Sequence, residues 1–198
     1  MASLTQIAIP DARRRTLPGE AGIWFVIFGD LGAFAVLFLT YMYYRAQAPA
    51  EFAAGQVAMN RGIGVTNTIV LMTGSLAVVQ AVHAYRAGAR RAADQALTAA
   101  IMCGLFFLVL KSVEYAQKVS ESLVPNTNAF YLLYYTFTGI HFFHVVVGVL
   151  VLVYLRGTVR RDQPDVRDRE ALESGGIFWH LVDLLWVVLF ALFYVVPS

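Results

Sequence analysis

An all-α integral membrane bundle of five helices is the fold this sequence predicts, and three observations carry that expectation. Of the 198 residues, 59% are hydrophobic and only 14% charged, where a soluble domain carries about a quarter charged residues. Mean hydropathy is +0.62, well on the apolar side. The apolar residues are gathered into five runs of bilayer-crossing length, roughly 20 residues each. Every run is expected to be helical, because a lone strand in lipid would leave its backbone groups unpaired. The chain, residues 1–198, reads as a single transmembrane domain.

A polar arm, residues 1–21, comes first. It has no apolar core of signal-peptide length, so no cleaved targeting segment is expected. Thr16 and Pro18 suit a helix cap and first turn, and Glu20 suits the positive end of a helix dipole. The first span is expected at about 22–44, with Gly29 and Ala33 as a small-residue pair for close helix contact. The second, about 64–85, carries Asn67, Thr68, Thr73, Gly74 and Ser75, small and polar residues of a helix–helix contact. The third, about 96–115, contains Ala100 with Gly104, and also Lys111 and Glu114. The fourth, about 130–155, opens on Tyr131, Tyr134 and Tyr135, which read as an interfacial aromatic belt. It holds His141 and His144 near its middle. The fifth, about 177–196, carries His180 and Asp183. Between the last two, residues 157–175 mix basic residues with five acids and read as a charged, solvated connector.

Charge sets the expected orientation. Eleven Lys and Arg residues fall in the arm and in the second and fourth connections, against three on the other side. By the positive-inside rule the N-terminus is cytoplasmic and the C-terminus outside. The net charge of +2 is small and scattered, which excludes nucleic acid as a partner class. Cys103 is the sole cysteine, so a disulfide framework or cysteine-rich metal site is excluded as well.

The candidate functional residues are the ionisable ones inside spans: Asp30, Glu114, His141, His144, His180 and Asp183, with Lys111 beside them. An acid at a helix centre costs about 2.5–3.5 kcal/mol, while a Leu or Val returns only about 0.3–0.6. Such groups belong inside a bundle, facing one another. His141 and His144, His180 and Asp183, and Lys111 and Glu114 are each three apart, so each pair shares one side of its helix. At about 1.5 Å of rise per residue, Asp183 lies roughly 10 Å from the cytoplasmic end of its span and Asp30 roughly 12 Å. His144 lies roughly 17 Å in and His141 roughly 21 Å. Asp30, Asp183 and the two histidines are therefore expected to form a layer. Glu114, roughly 27 Å in, pairs with Lys111 or with His141.

His-x-x-His has ligand-like geometry, but four histidines in the whole chain are too few for a multi-histidine metal centre. No metal ligand and no catalytic residue is assigned. Two readings of the polar residues remain: hydrogen bonds that fix helix packing, and proton handling. There is no phosphate-binding glycine loop, no activated-serine motif and no broken helix pair.

The residues carry a family resemblance. Phe137-Thr138-Gly139-Ile140-His141-Phe142-Phe143-His144-Val145, followed by Gly148, resembles the signature of subunit III of the haem–copper respiratory oxidases. Phe178-Trp179-His180-Leu181-Val182-Asp183-Leu184-Leu185-Trp186 is similar to that family's closing helix. Lys111-Ser112-Val113-Glu114-Tyr115 and Asn67-Thr68 are similar to its other inner segments, so the resemblance runs through all five spans. It looks like the short five-helix branch, without two further helices that in longer members help hold structural lipid. Gly19 to Trp24 and Asp30 resemble short members associated with nitric oxide reductases.

The resemblance implies an accessory, non-redox subunit in a bacterial cytoplasmic membrane. It would pack against the catalytic subunit I, with other oxidase subunits and lipid as further neighbours, stabilise subunit I and support proton uptake. No cofactor would be bound by this chain; haem and copper would sit in the partner. The alternatives are the same role in a nitric oxide reductase, a free-standing proton or small-solute permease, and a metal-dependent membrane enzyme.

Overall fold

The computed structural model describes residues 21–161 and 166–195. The arm with Arg13–Arg15, Thr16, Pro18 and Glu20, and the C-terminal tail from residue 196, lie outside the described residues. The elements are α1 (Ala21–Gln47), α2 (Pro49–Val57), α3 (Arg61–Arg86), α4 (Arg90–Ser120), α5 (Ala129–Val159) and α6 (Val166–Phe190). A π-helical turn, Ala191–Val195, closes the described chain. All of these are helical, and five are long and apolar enough to cross a membrane: α1, α3, α4, α5 and α6.

Each long helix overruns its apolar stretch. α4 and α5 are both 31 residues: the Ala, Arg, Gln and Lys that flank the apolar stretch of α4 are good helix formers, and α5 runs on through Arg156, Gly157 and Thr158 to Val159. Apolarity marks only the part of a helix that meets lipid. The connector at 157–175 is corrected for the same reason: α5 runs to Val159 and α6 already begins at Val166. The Arg, Glu, Ala and Leu residues there form the polar first turns of α6, held by Arg86 to Glu173 at 2.7 Å and by buried Leu172.

α2 was not expected. Pro49 sits in its first turn, where the missing N–H is no loss, and Phe52 is fully buried against Tyr41 and Phe130. Gly55 lies so close to Phe130 that a Cβ there would overlap the ring. Asn60 and Asn128 cap α3 and α5 by accepting from the Ile63 and Tyr131 N–H groups at 3.2 and 3.0 Å.

α3 packs on α4, α4 on α5, α5 on α6, and α6 back on α3, while α1 leans on α5 and α6 from outside. Trp179 of α6 fills the middle of the four-helix ring. A Cβ at Gly74 of α3, Gly104 of α4 or Gly148 of α5 would come within 3.5, 2.9 and 3.0 Å of its ring. Three glycines on three helices thus form the slot for one indole, which is how the bundle closes around so large a side chain. α1 buries little: Phe25 is 87% exposed and Leu39 72%.

Candidate functional site

The densest polar site lies where α4, α5 and the π turn meet. Lys111 and Glu114, one turn apart on α4, are both fully buried. The Lys111 ammonium donates to Glu114 Oε2, to the Tyr134 hydroxyl and to the Tyr194 hydroxyl, each at 2.9 Å. Tyr194 in turn donates to Glu114 Oε1 at 2.6 Å. All three ammonium protons and both carboxylate oxygens are therefore engaged, which is what a buried ion pair requires. Aromatic faces wrap the cation: Nζ lies 4.7 Å from the Tyr134 ring centroid and 5.2 Å from that of Trp186.

The π turn is what delivers Tyr194. Its wider winding changes the register at the end of α6, and π turns recur at such special positions. The Leu192 carbonyl within it accepts from Gln56 Nε2 of α2 at 3.0 Å. The open choice for Glu114 resolves to Lys111. Tyr134, read from sequence as part of an interfacial belt, is fully buried. The available signal was its spacing: it precedes His141 by seven residues, two turns, and so shares that inner face.

A second polar contact joins α1 to α5. His144 Nε2 lies 3.2 Å from Asp30 Oδ1, and Nδ1 lies 2.9 Å from the Ile140 carbonyl. His144 thus reaches a backbone carbonyl on its own helix with one ring nitrogen and a carboxyl of α1 with the other. Phe34 packs against the ring with centroids 6.2 Å apart.

A third contact joins α3 to α6. His180 Nδ1 lies 2.7 Å from Ser75 Oγ and 3.6 Å from Asp183 Oδ2. Beside it is a cavity of about 230 Å³ lined in part by His83, Arg86, Glu173 and His180.

His141 is separate from all of these. It is fully buried, stacked on Trp186 at 5.3 Å and edge-on to Phe107 at 5.6 Å. Neither ring nitrogen has a hydrogen-bond partner among the described residues. The expected single layer is thus dispersed. His144 meets Asp30, Asp183 keeps to His180, and His141 faces the aromatic centre. Three residues along a helix is a rotation of about 300°, leaving about 60° between the two histidines. On a helix with neighbours on several sides, that is enough to give them different ones. Among the described residues, no three His, Cys, Asp or Glu side chains converge into a group that could hold a metal.

Residues 19–198 match the family described as cytochrome c oxidase subunit III. The chain belongs to the cytochrome c oxidase subunit III family. It is 30% identical over 176 residues to a probable cytochrome c oxidase subunit 3 of Nocardia farcinica, covering 88% of this chain and 85% of that one. It is 23% identical over 173 residues to the cytochrome bo(3) ubiquinol oxidase subunit 3 of Buchnera aphidicola, covering 87% and 84%. A heme-copper oxidase subunit I+III of Aeropyrum pernix is 26% identical over 185 residues. That alignment covers 89% of this chain and 22% of the relative, so the chain spans about a fifth of that protein's length.

For this subunit III chain the structure gives the two signature stretches a physical sense. They lie on α5 and α6 and face each other. Gly148 opens the room that Trp179 fills, and His141 stacks on Trp186. Trp186 in turn donates its indole N–H to Thr68 of α3 at 3.0 Å. The motifs describe a packing surface shared by three helices, with His144 left on its flank to meet α1.

Proposed function

We propose that this chain is an accessory, non-redox subunit of a haem–copper respiratory oxidase in a bacterial cytoplasmic membrane. Its N-terminus lies in the cytoplasm, as the distribution of basic residues favours. It packs against the catalytic subunit I, which holds the haem and copper, stabilises that subunit through turnover and supports proton uptake. Asp30, His144, His180, Asp183, Glu114 and His141 are the groups available for such support. The observation that carries the reading is the match to subunit III over residues 19–198. The Aeropyrum pernix relative, whose name couples subunits I and III, supports subunit I as the neighbour.

The test is purification of the terminal oxidase from native membranes, followed by mass spectrometry of its subunits. Recovery of this chain in stoichiometric amount with a haem–copper subunit I is the expected result. Recovery with a nitric oxide reductase instead would move the same accessory role to that complex. Absence from both would overturn the proposal.

A further inference from the structure

The outer face of α3 carries a stripe that its own bundle leaves uncovered. Ile69, Met72 and Leu76 are 60%, 50% and 58% exposed. Their spacing of three and four puts them on one side of the helix, and Gln80 and His83, both exposed, continue that side. The apolar members need nothing more than lipid. Gln80 differs, because its side-chain amide makes no hydrogen bond among the described residues. Thr66 and Thr73, also exposed on α3, return their hydroxyls to the Gly62 and Ile69 carbonyls at 2.9 and 2.8 Å.

Depth makes the difference matter. Gln80 precedes Arg86 by about 9 Å along the helix, at about 1.5 Å per residue. The amide therefore lies within the membrane-crossing length of α3. An amide that meets only acyl chains there forfeits its hydrogen bonds, whereas a neighbouring transmembrane helix can supply them.

The seam beside Gln80 suits a helix. α3 and α6 leave a groove of about 230 Å³ whose walls include Val79, Val82 and Ile177. A groove between two helices takes the side-chain ridge of a third. At its rim His180 has Nδ1 2.7 Å from Ser75 Oγ, while its other ring nitrogen has no partner among the described residues. Gln80, His83 and His180 thus offer hydrogen bonds along one seam. Charge argues against a lipid headgroup as the occupant. Arg86 and Glu173, on the same rim, are already paired at 2.7 Å, which leaves no surplus charge to draw a phosphate.

We propose that this seam, the outer face of α3 with the groove against α6, docks a transmembrane helix of the catalytic subunit. That helix meets the Gln80 amide with a hydrogen-bonding side chain of its own. The choice of subunit rests on the function proposed above, and the choice of face rests on Gln80 and the groove.

The experiment is photocrosslinking in native membranes, with p-benzoylphenylalanine in place of Leu76 in the full chain. An adduct with the haem–copper subunit I is expected. The same group in place of Val109, 59% exposed on α4, should give far less. No protein adduct from Leu76, an adduct only with a second copy of this chain, or equal yields at the two positions would overturn the proposal. Failure of the proposed function looks different: subunit I is then missing from the purified complex itself, and both readings fall. Gln80→Leu keeps the bulk and removes the amide, so it should weaken retention of the chain by subunit I in detergent about fivefold, the worth of roughly one interhelical hydrogen bond. Unchanged retention would overturn the proposal as well. Gln80 faces out of the bundle, so the variant should fold as the wild type does; should it fail to fold, the Leu76 adduct decides.

Discussion

Tyr194 donates its hydroxyl to Glu114 across 2.6 Å while accepting from Lys111 at 2.9 Å, so one phenol closes the ring of a fully buried ion pair. The residues belong to the end of the described chain and the C-terminal half of α4. Their contact ties the π turn to the bundle, and the cost of breaking it depends on what is left behind.

Removing only the hydroxyl, in Tyr194→Phe, leaves Glu114 Oε1 and one Lys111 proton without partners. Stability should fall by about 1–3 kcal/mol, read by unfolding in mixed micelles. Lys111→Met alone should cost more, about 3–5 kcal/mol, because it strands a buried carboxylate. The double variant Lys111→Met with Glu114→Leu should be milder than Lys111→Met. Additive losses would contradict the closed network.

The glycine slot around Trp179 gives a packing prediction. Gly104→Val places side-chain atoms where the Trp179 ring and Val149 already lie, and overpacking of this kind costs about 1–3 kcal/mol. Adding Trp179→Leu should recover part of the loss, since the ring is the obstacle. A double variant no better than the sum of its parts would place the strain elsewhere.

The five spans and their order were legible from hydropathy because a bilayer imposes one strong, one-dimensional rule. That Lys111 and Glu114 share one side of α4 was legible too, since three-residue spacing is a local property. The choice of Lys111 over His141 as the partner of Glu114 came from the packing. What escaped was anything requiring a third helix. The slot for Trp179 needs Gly74, Gly104 and Gly148 to converge from α3, α4 and α5, and no local pattern reports that. Tyr194 joins Lys111 only because the winding changes at Ala191. The dispersal of the histidines escaped for a related reason: spacing gives the side of a helix, whereas the neighbours come from packing. α2 was hidden by its length, nine residues being too few for a span, and the early start of α6 by its charged composition, which hydropathy reads as loop.

Asp30 supplies a prediction about the assembled complex. Asp30→Asn keeps a side chain able to hydrogen-bond His144 Nε2, so α1 should stay docked and stability should change by less than about 1 kcal/mol. The ionisable carboxyl of the pair is lost. If the pair serves proton uptake as proposed, the variant oxidase should turn over more slowly or inactivate sooner, with its subunit composition intact. Wild-type turnover and lifetime in the variant would remove Asp30 from that role.

The two histidines of one motif should respond differently to the same substitution. His144→Leu leaves Asp30 without its imidazole partner and removes the hydrogen bond between α1 and α5, so it should cost about 1–3 kcal/mol. His141→Leu removes a ring whose nitrogens bond nothing among the described residues and which lies against Phe107 and Trp186. Replacing an unbonded polar ring by an apolar side chain of similar volume should cost less than about 1.5 kcal/mol. It should also spare the yield of folded chain. The comparison is made on the two single variants by thermal unfolding in the same detergent. A loss at His141 as large as that at His144 would mean its nitrogens are bonded in the membrane, and would return His141 to the candidates for proton handling.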